Sequence, residues 1–182
     1  MKIKITLLIL LGSFIISKST YAQLLGTANS RYSEYQWHIS VGVEGLLNSS
    51  PGSTYYNPGV GGTVRLQYDL TQNVGLTATT GYYLLPGKNN ATVMQPDLKL
   101  IPFKLGAKAY FTPNWYLMGE VGVASAHPYL NLQSKSKFSK IIAPAIGYET
   151  SQFETSLAFM NVHHKGDYVS NIVLRVAYNF NF

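Results

Sequence analysis

The sequence predicts an all-β fold, an eight-stranded antiparallel up-and-down transmembrane β-barrel, and three observations carry that expectation. Apolar and polar residues alternate with period two through eight successive segments, the pattern of strands with two chemically different faces. The 182 residues include 14 Tyr and 16 Gly, which favour pleated sheet and tight turns over helices. Only 12% of residues are charged, against roughly 25% in a soluble domain, so the surface is short of water-facing charge. The absence of cysteine removes disulfides, thiolate metal sites, Cys nucleophiles and a lipidated N-terminal Cys.

Residues 1–22 read as a secretory signal peptide: Lys2 and Lys4 form a basic start, Ile5 to Ile16 is apolar, and Thr20, Tyr21 and Ala22 supply the cleavage region before Gln23. That apolar run is shorter than the ~20 residues of a spanning helix. Without Lys2, Lys4 and Lys18, the 14 basic residues fall to 11 against 8 acidic ones, a formal charge of +3 rather than +6. The basic residues that remain are scattered among acids, so no nucleic-acid partner is expected. Residues 23–35 form a short polar segment, periplasmic in a barrel of this kind, and residues 36–182 form the barrel.

Each strand follows from its alternation. Trp37, Ile39, Val41, Val43 and Leu47 share one face of the first, with His38, Ser40, Gly42 and Glu44 on the other. Val60, Val64, Leu66, Tyr68 and Leu70 oppose Thr63, Arg65, Gln67 and Asp69 in the second, and Val74, Leu76, Ala78, Tyr82 and Leu84 oppose Gly75, Thr77, Thr79 and Tyr83 in the third. In the fourth, Ile101, Phe103, Leu105, Ala107, Ala109 and Phe111 oppose Lys104, Gly106, Lys108 and Tyr110. Leu98 and Leu100 are out of phase there, which suggests a bulge near Leu100 and Ile101.

The fifth strand sets Trp115, Leu117, Val121 and Val123 against Tyr116, Met118, Glu120 and Gly122. The sixth sets Phe138, Ile142, Ile146 and Tyr148 against Ser139, Ala143, Ala145 and Glu149, with Pro144 on the apolar face suggesting a bulge or local break. Phe153, Leu157 and Phe159 oppose Glu154, Ser156 and Ala158 in the seventh, and Ile172, Leu174, Val176, Tyr178, Phe180 and Phe182 oppose Arg175, Ala177, Asn179 and Asn181 in the last. Short connections at Thr71, Thr112 and Thr150 alternate with longer ones, the layout of an outer-membrane barrel with both termini periplasmic.

A lipocalin-like barrel also alternates, with its apolar face inward. The membrane reading is preferred because the polar face is rich in Gly, Ala, Ser and Thr, which suits a narrow eight-stranded interior. Aromatic residues also gather on the apolar face near the short turns: Trp37, Tyr68, Phe111, Trp115, Tyr148, Phe153, Phe180 and Phe182 form an expected interfacial girdle. Ten strand residues at ~3.3 Å rise and ~45° tilt cover about 23 Å, close to the apolar band of such barrels.

The stretch Leu100 to Phe111, the strand Trp115 to Ala124 and the alternating aromatic ending Val176 to Phe182 resemble the outer-membrane β-barrel ("porin family") domain of Bacteroidetes, a group similar to small eight-stranded outer-membrane barrels. The resemblance spans about residues 36–182. It implies an outer-membrane protein in contact with membrane lipid and lipopolysaccharide, whose aromatic C-terminus is read by the outer-membrane assembly machinery. It establishes neither a pore nor a loop ligand.

The best-defined constellation is a set of inward charges: Glu44, Arg65, Lys104, Lys108, Glu120 and Arg175, with Asp69, Glu149 and Glu154 nearer the periplasmic mouth. Glu120 is expected to pair with Lys104 or Lys108, and Glu44 stands level with Arg175. Such a set is either a salt-bridge plug or a gated polar channel, and the narrowness of eight strands favours the plug. His163, His164, Asp167 and Ser170 cluster near one loop and His127 lies near Ser125, but neither group matches a hydrolase or acyltransferase motif. No catalytic, cofactor or metal site is therefore expected. The function expected is non-enzymatic: a monomeric barrel with a plugged interior and loops for envelope integrity, adhesion or ligand contact. A narrow-channel transporter and a lipid A modifying enzyme are the alternatives.

Overall fold

The computed structural model describes residues 37–49, 56–90, 93–94, 97–127, 138–164 and 167–181. The expected signal peptide at 1–22, the polar segment expected after it and Phe182 lie outside the described residues. The strands are β1 (Trp37–Asn48), β2 (Gly59–Thr71), β3 (Val74–Leu85), β4 (Asn89–Asn90), β5 (Val93–Met94), β6 (Leu98–Tyr110), β7 (Trp115–His127), β8 (Phe138–Glu149), β9 (Phe153–His164) and β10 (Asp167–Asn181). Eight of them close into an antiparallel barrel, each beside its neighbour in sequence, and β1 closes the ring against β10. The two-residue β4 and β5 pair only with each other, within the connection between β3 and β6.

The alternation in sequence becomes alternation across the wall. Along β8 every residue switches face, so that Ser139, Ile141, Ala143 and Glu149 are buried while Lys140, Ile142, Pro144 and Tyr148 are exposed. The same rule holds around the ring: Val41, Val64, Leu76, Leu105, Val121 and Leu157 face out, while Glu44, Arg65, Lys104, Lys108, Glu120, Glu149, Glu154 and Arg175 face in. Register fixes the tilt. A row of partners starting at Trp37 passes through Tyr68, Leu76, Ala107 and Gly119, reaches β10 at Ile172, and returns to β1 at Leu47, ten residues beyond its start. A stagger of that size with eight strands gives a steeply tilted, narrow barrel whose interior side chains can fill.

The short turns share one device. Thr71 Oγ1 accepts from the backbone N–H of Val74 at 3.1 Å, Thr112 Oγ1 from Trp115 at 2.9 Å, and Thr150 Oγ1 from Phe153 at 3.0 Å. Each hydroxyl takes the place of a backbone acceptor and turns the chain within a few residues.

Two local expectations are corrected. No bulge occurs at Leu100 and Ile101: the pairing of β6 with β7 keeps one register from Lys99↔His127 to Tyr110↔Tyr116. Leu98 and Leu100 are out of phase because they point inward, into an apolar cluster with Leu46, Tyr83, Leu85 and Ile141. Nor does Pro144 insert a bulge. The β8–β9 register runs to Ile142↔Asn161 and resumes at Ala145↔Ala158 in the same phase, while Pro144 pairs normally with Gly119 on β7. Proline lacks a donor, and the ladder absorbs it without an extra residue.

The interior therefore has two storeys. Toward the short turns it is polar and charged; toward the long connections it is an apolar plug of Leu46, Tyr56, Tyr83, Leu85, Leu98, Leu100, Ala124, Ile141, Met160 and Val162.

Candidate functional site

The polar storey holds, among the described residues, four buried cations and four fully buried carboxylates: Arg65, Lys104, Lys108 and Arg175 against Glu44, Glu120, Glu149 and Glu154. The formal charges cancel. Inward phase on seven strands places them, and the steep stagger brings residues of distant strands to one level.

Glu154 is the hub. It pairs with Arg65, with Lys108 Nζ at 3.3 Å and with Arg175 Nη1 at 3.0 Å, and it accepts a hydrogen bond from the Tyr116 hydroxyl. Glu120 takes Lys104 Nζ at 2.9 Å and the Thr79 hydroxyl at 2.6 Å, with Arg65 Nη2 at 3.5 Å. Lys108 does not pair with Glu120. Its Nζ lies 2.7 Å from Glu149 Oε2 and 4.4 Å from the centre of the Tyr116 ring. Glu44 and Arg175, opposed in the closing β1–β10 register, pair at 3.4 Å, and Glu44 also accepts from the Thr63 and Tyr83 hydroxyls at 2.8 Å each.

Counting residues along each strand sets Glu149 and Glu154 nearer the mouth. The structure joins them to the network because the long arms of Arg65, Lys108 and Arg175 reach down from higher levels. Hydroxyl groups and Asn179 fill the remaining acceptor positions, as buried charge requires.

At the short-turn mouth, His38 is held on both sides: Nε2 lies 3.0 Å from Asp69 and Nδ1 2.8 Å from Asn181. An orienting carboxylate beside a His is two thirds of a hydrolytic triad, but here both ring nitrogens are engaged and the nearby inward hydroxyl of Ser40 accepts from Arg175. Among the described residues no three His, Asp or Glu gather as metal ligands. His163 lies exposed on the outer face, and the side chains of His127, His164 and Asp167 lie outside the described set.

Between the two storeys lies a cavity of about 10 Å³, lined by Glu44, Arg65, Lys104, Glu120, Met160 and Arg175, which is room for about one water molecule. Above it lies the apolar cluster of Leu46, Tyr83, Leu85, Leu98, Leu100 and Ile141.

On the outward face the aromatic residues of the girdle sit at the short-turn end. Trp37, Phe111, Trp115, Tyr148, Phe153 and Phe180 are exposed and Tyr68 is half-buried. Register places them in contact across strands, with ring centres 4.7 Å apart for Trp37 and Tyr68 and 5.4 Å for Trp115 and Tyr148. A second outward aromatic set, Tyr82, Phe103, Phe138, Phe159 and Tyr168, lies toward the other end. Sequence reading missed it because those rings are spaced differently from the loop ends on each strand.

No family model matches the chain, and no curated protein matches it. Solved structures do. The chain is similar to the outer membrane protein Ail of Yersinia pestis in a phospholipid nanodisc, with a TM-score of 0.58 and 14% identity over 80% of this chain and 99% of that one. It is similar to the N-terminal β-barrel domain of OprF of Pseudomonas aeruginosa, with a TM-score of 0.55 and 16% identity over 79% and 97%. Neisserial surface protein A gives 0.54 and 15% over 81% and 97%. At these identities the likeness is one of fold, and the fold is that of a small eight-stranded outer-membrane barrel.

Proposed function

We propose that this chain is a non-enzymatic integral barrel of a bacterial outer membrane, with its short turns and both termini in the periplasm and its long connections outside. The likeness in sequence to the Bacteroidetes barrel group and the aromatic ending, suited to the outer-membrane assembly machinery, support this reading. The barrel wall is an anchor among outer-membrane lipid and lipopolysaccharide, the interior is a plug, and the outer end carries contacts for envelope integrity, adhesion or a ligand.

The observation that carries the reading is the pairing of faces. Outside, the wall is apolar above an aromatic belt at the short-turn end; inside, charge is neutralised and then capped by an apolar layer. A water-soluble barrel would reverse the first, and a conducting one would lack the second. In hydrocarbon only a closed sheet leaves no unpaired edge, and β1–β10 pairing supplies the closure. The test is migration on SDS gels with and without boiling, alongside extraction from membranes. The reading expects heat-modifiable migration and extraction only by detergent; a monomer that stays in solution without detergent contradicts it.

A further inference from the structure

The outer boundary of the apolar wall is one-sided. Because the register climbs ten residues over eight strands, level rises by about one and a quarter residues per strand along a row. On that scale the outward residues Lys99 (β6), Ser125 (β7), Lys140 (β8), His163 (β9) and Tyr168 (β10) lie at nearly the same level, close under the long connections. On β1 to β3 the outward residues near that level are Leu47, Val60 and Leu84, all apolar. A polar crescent therefore covers five adjacent strands, interrupted on β8 by the exposed Phe138 opposite Ser125, and stops at the other three.

Its centre is ordered by register. Lys140 opposes His163, His163 opposes Tyr168, and the imidazole and phenol rings are stacked with centres 5.9 Å apart. One step down, Ser170 donates to Asn161 Oδ1 at 2.6 Å. Glu44, Glu120, Glu149, Glu154 and Asp69 all serve the interior, and the exposed Asp97, just ahead of β6, accepts a hydrogen bond from the Gly87 backbone N–H at 3.0 Å. The outward lysines of the described strands, Lys99 and Lys140, both sit in the crescent; Asp97 stands two residues from Lys99 on the same face, and the residues paired with Lys140 are Val123 and His163.

We propose that this crescent binds the phosphorylated saccharide headgroup of an outer-leaflet glycolipid, with Lys140 on a phosphate and the stacked His163–Tyr168 pair against the sugar. The proposal rests on the membrane reading above. Its position selects the ligand: these side chains point sideways at the edge of the hydrocarbon band, where a headgroup stands and a soluble anion or protein does not. Lysine is a compact charge suited to phosphate, and an aromatic face suits the C–H face of a sugar.

The test uses the full mature chain folded in nanodiscs containing either bisphosphorylated lipid A or its dephosphorylated form, released into detergent and examined by native mass spectrometry for retained lipid. Heat-modifiable migration, read on the same samples, reports separately whether the membrane barrel has formed. The wild type should retain bisphosphorylated lipid A and lose most of that retention with the dephosphorylated lipid. The pair Lys140→Ala and His163→Ala should reduce retention about fivefold or more, since one cation near a membrane surface contributes roughly that factor. Lys140→Gln, which keeps most of the side chain, should lose retention as well, and Leu84→Ala on the apolar side should not. Equal retention of both lipids, or equal retention by wild type and the Lys140 variants in a folded barrel, overturns the proposal. Loss of retention on adding millimolar inorganic phosphate also overturns it, by making the crescent a general anion site.

Discussion

Glu154 shows how far residue patterning reaches and where it stops. Its inward phase was readable from the alternation of the strand that holds it, but its three cationic partners come from β2, β6 and β10 and depend on register and side-chain reach. Removing one member of a buried pair leaves the other charge uncompensated, at a cost of about 3 to 5 kcal/mol. Glu154→Gln should therefore destabilise the folded barrel by that order in a urea titration in detergent, and by more than Glu44→Gln, whose single cation Arg175 keeps a second carboxylate. The Glu120 and Lys104 pair offers a cleaner measurement, because a double-mutant cycle on the two should return a coupling of about 0.5 to 3 kcal/mol. Coupling near zero contradicts a plug held by specific pairs. Asn171 runs the other way. It is fully buried beside the apolar plug and neither amide atom has a hydrogen-bond partner, so Asn171→Leu should stabilise the fold by about 1 to 3 kcal/mol in the same titration.

At the scale of the strand, the two faces follow different rules. Polar atoms on the outward face are satisfied locally: the Thr80 hydroxyl donates to the Pro102 carbonyl at 2.9 Å and that of Thr155 to the Arg175 carbonyl at 3.2 Å. A charge there has no such option. Val121→Arg should cost about 2 to 4 kcal/mol of folding stability near the middle of the bilayer, read by folding yield into lipid vesicles. Glycines on β7 divide by face as well. A methyl at Gly122 would meet the backbone of Phe103 and Lys104, whereas one at Gly119 would meet nothing within 4 Å. Gly122→Ala should thus cost about 1 to 3 kcal/mol from overpacking, and Gly119→Ala should be close to neutral in the same assay. Strand number, order and facing were legible because a period of two survives in every segment. The out-of-phase Leu98 and Leu100 were legible as an anomaly but not as its cause. A bulge and an inward apolar cap write the same two letters, and only the inward apolar residues of the other strands tell them apart.

For the whole molecule, the central claim is that closure is complete in two senses: the sheet has no edge in the membrane, and the bore has no path through it. Eight strands with a ten-residue stagger leave an interior that side chains fill, neutral in its charged storey and apolar above. The sequence carried the charged storey, whose residues stand out among Gly, Ser and Thr, and hid the cap, whose leucines look like any other strand residues until the tilt gathers them. The claim is tested most directly by conductance of the purified, heat-modifiable protein in planar bilayers. No reproducible current steps are expected at either polarity; ohmic steps that persist in the folded monomer, and that change size when Glu120 or Lys104 is replaced, would mean an open path and make the charged storey the gate of a channel.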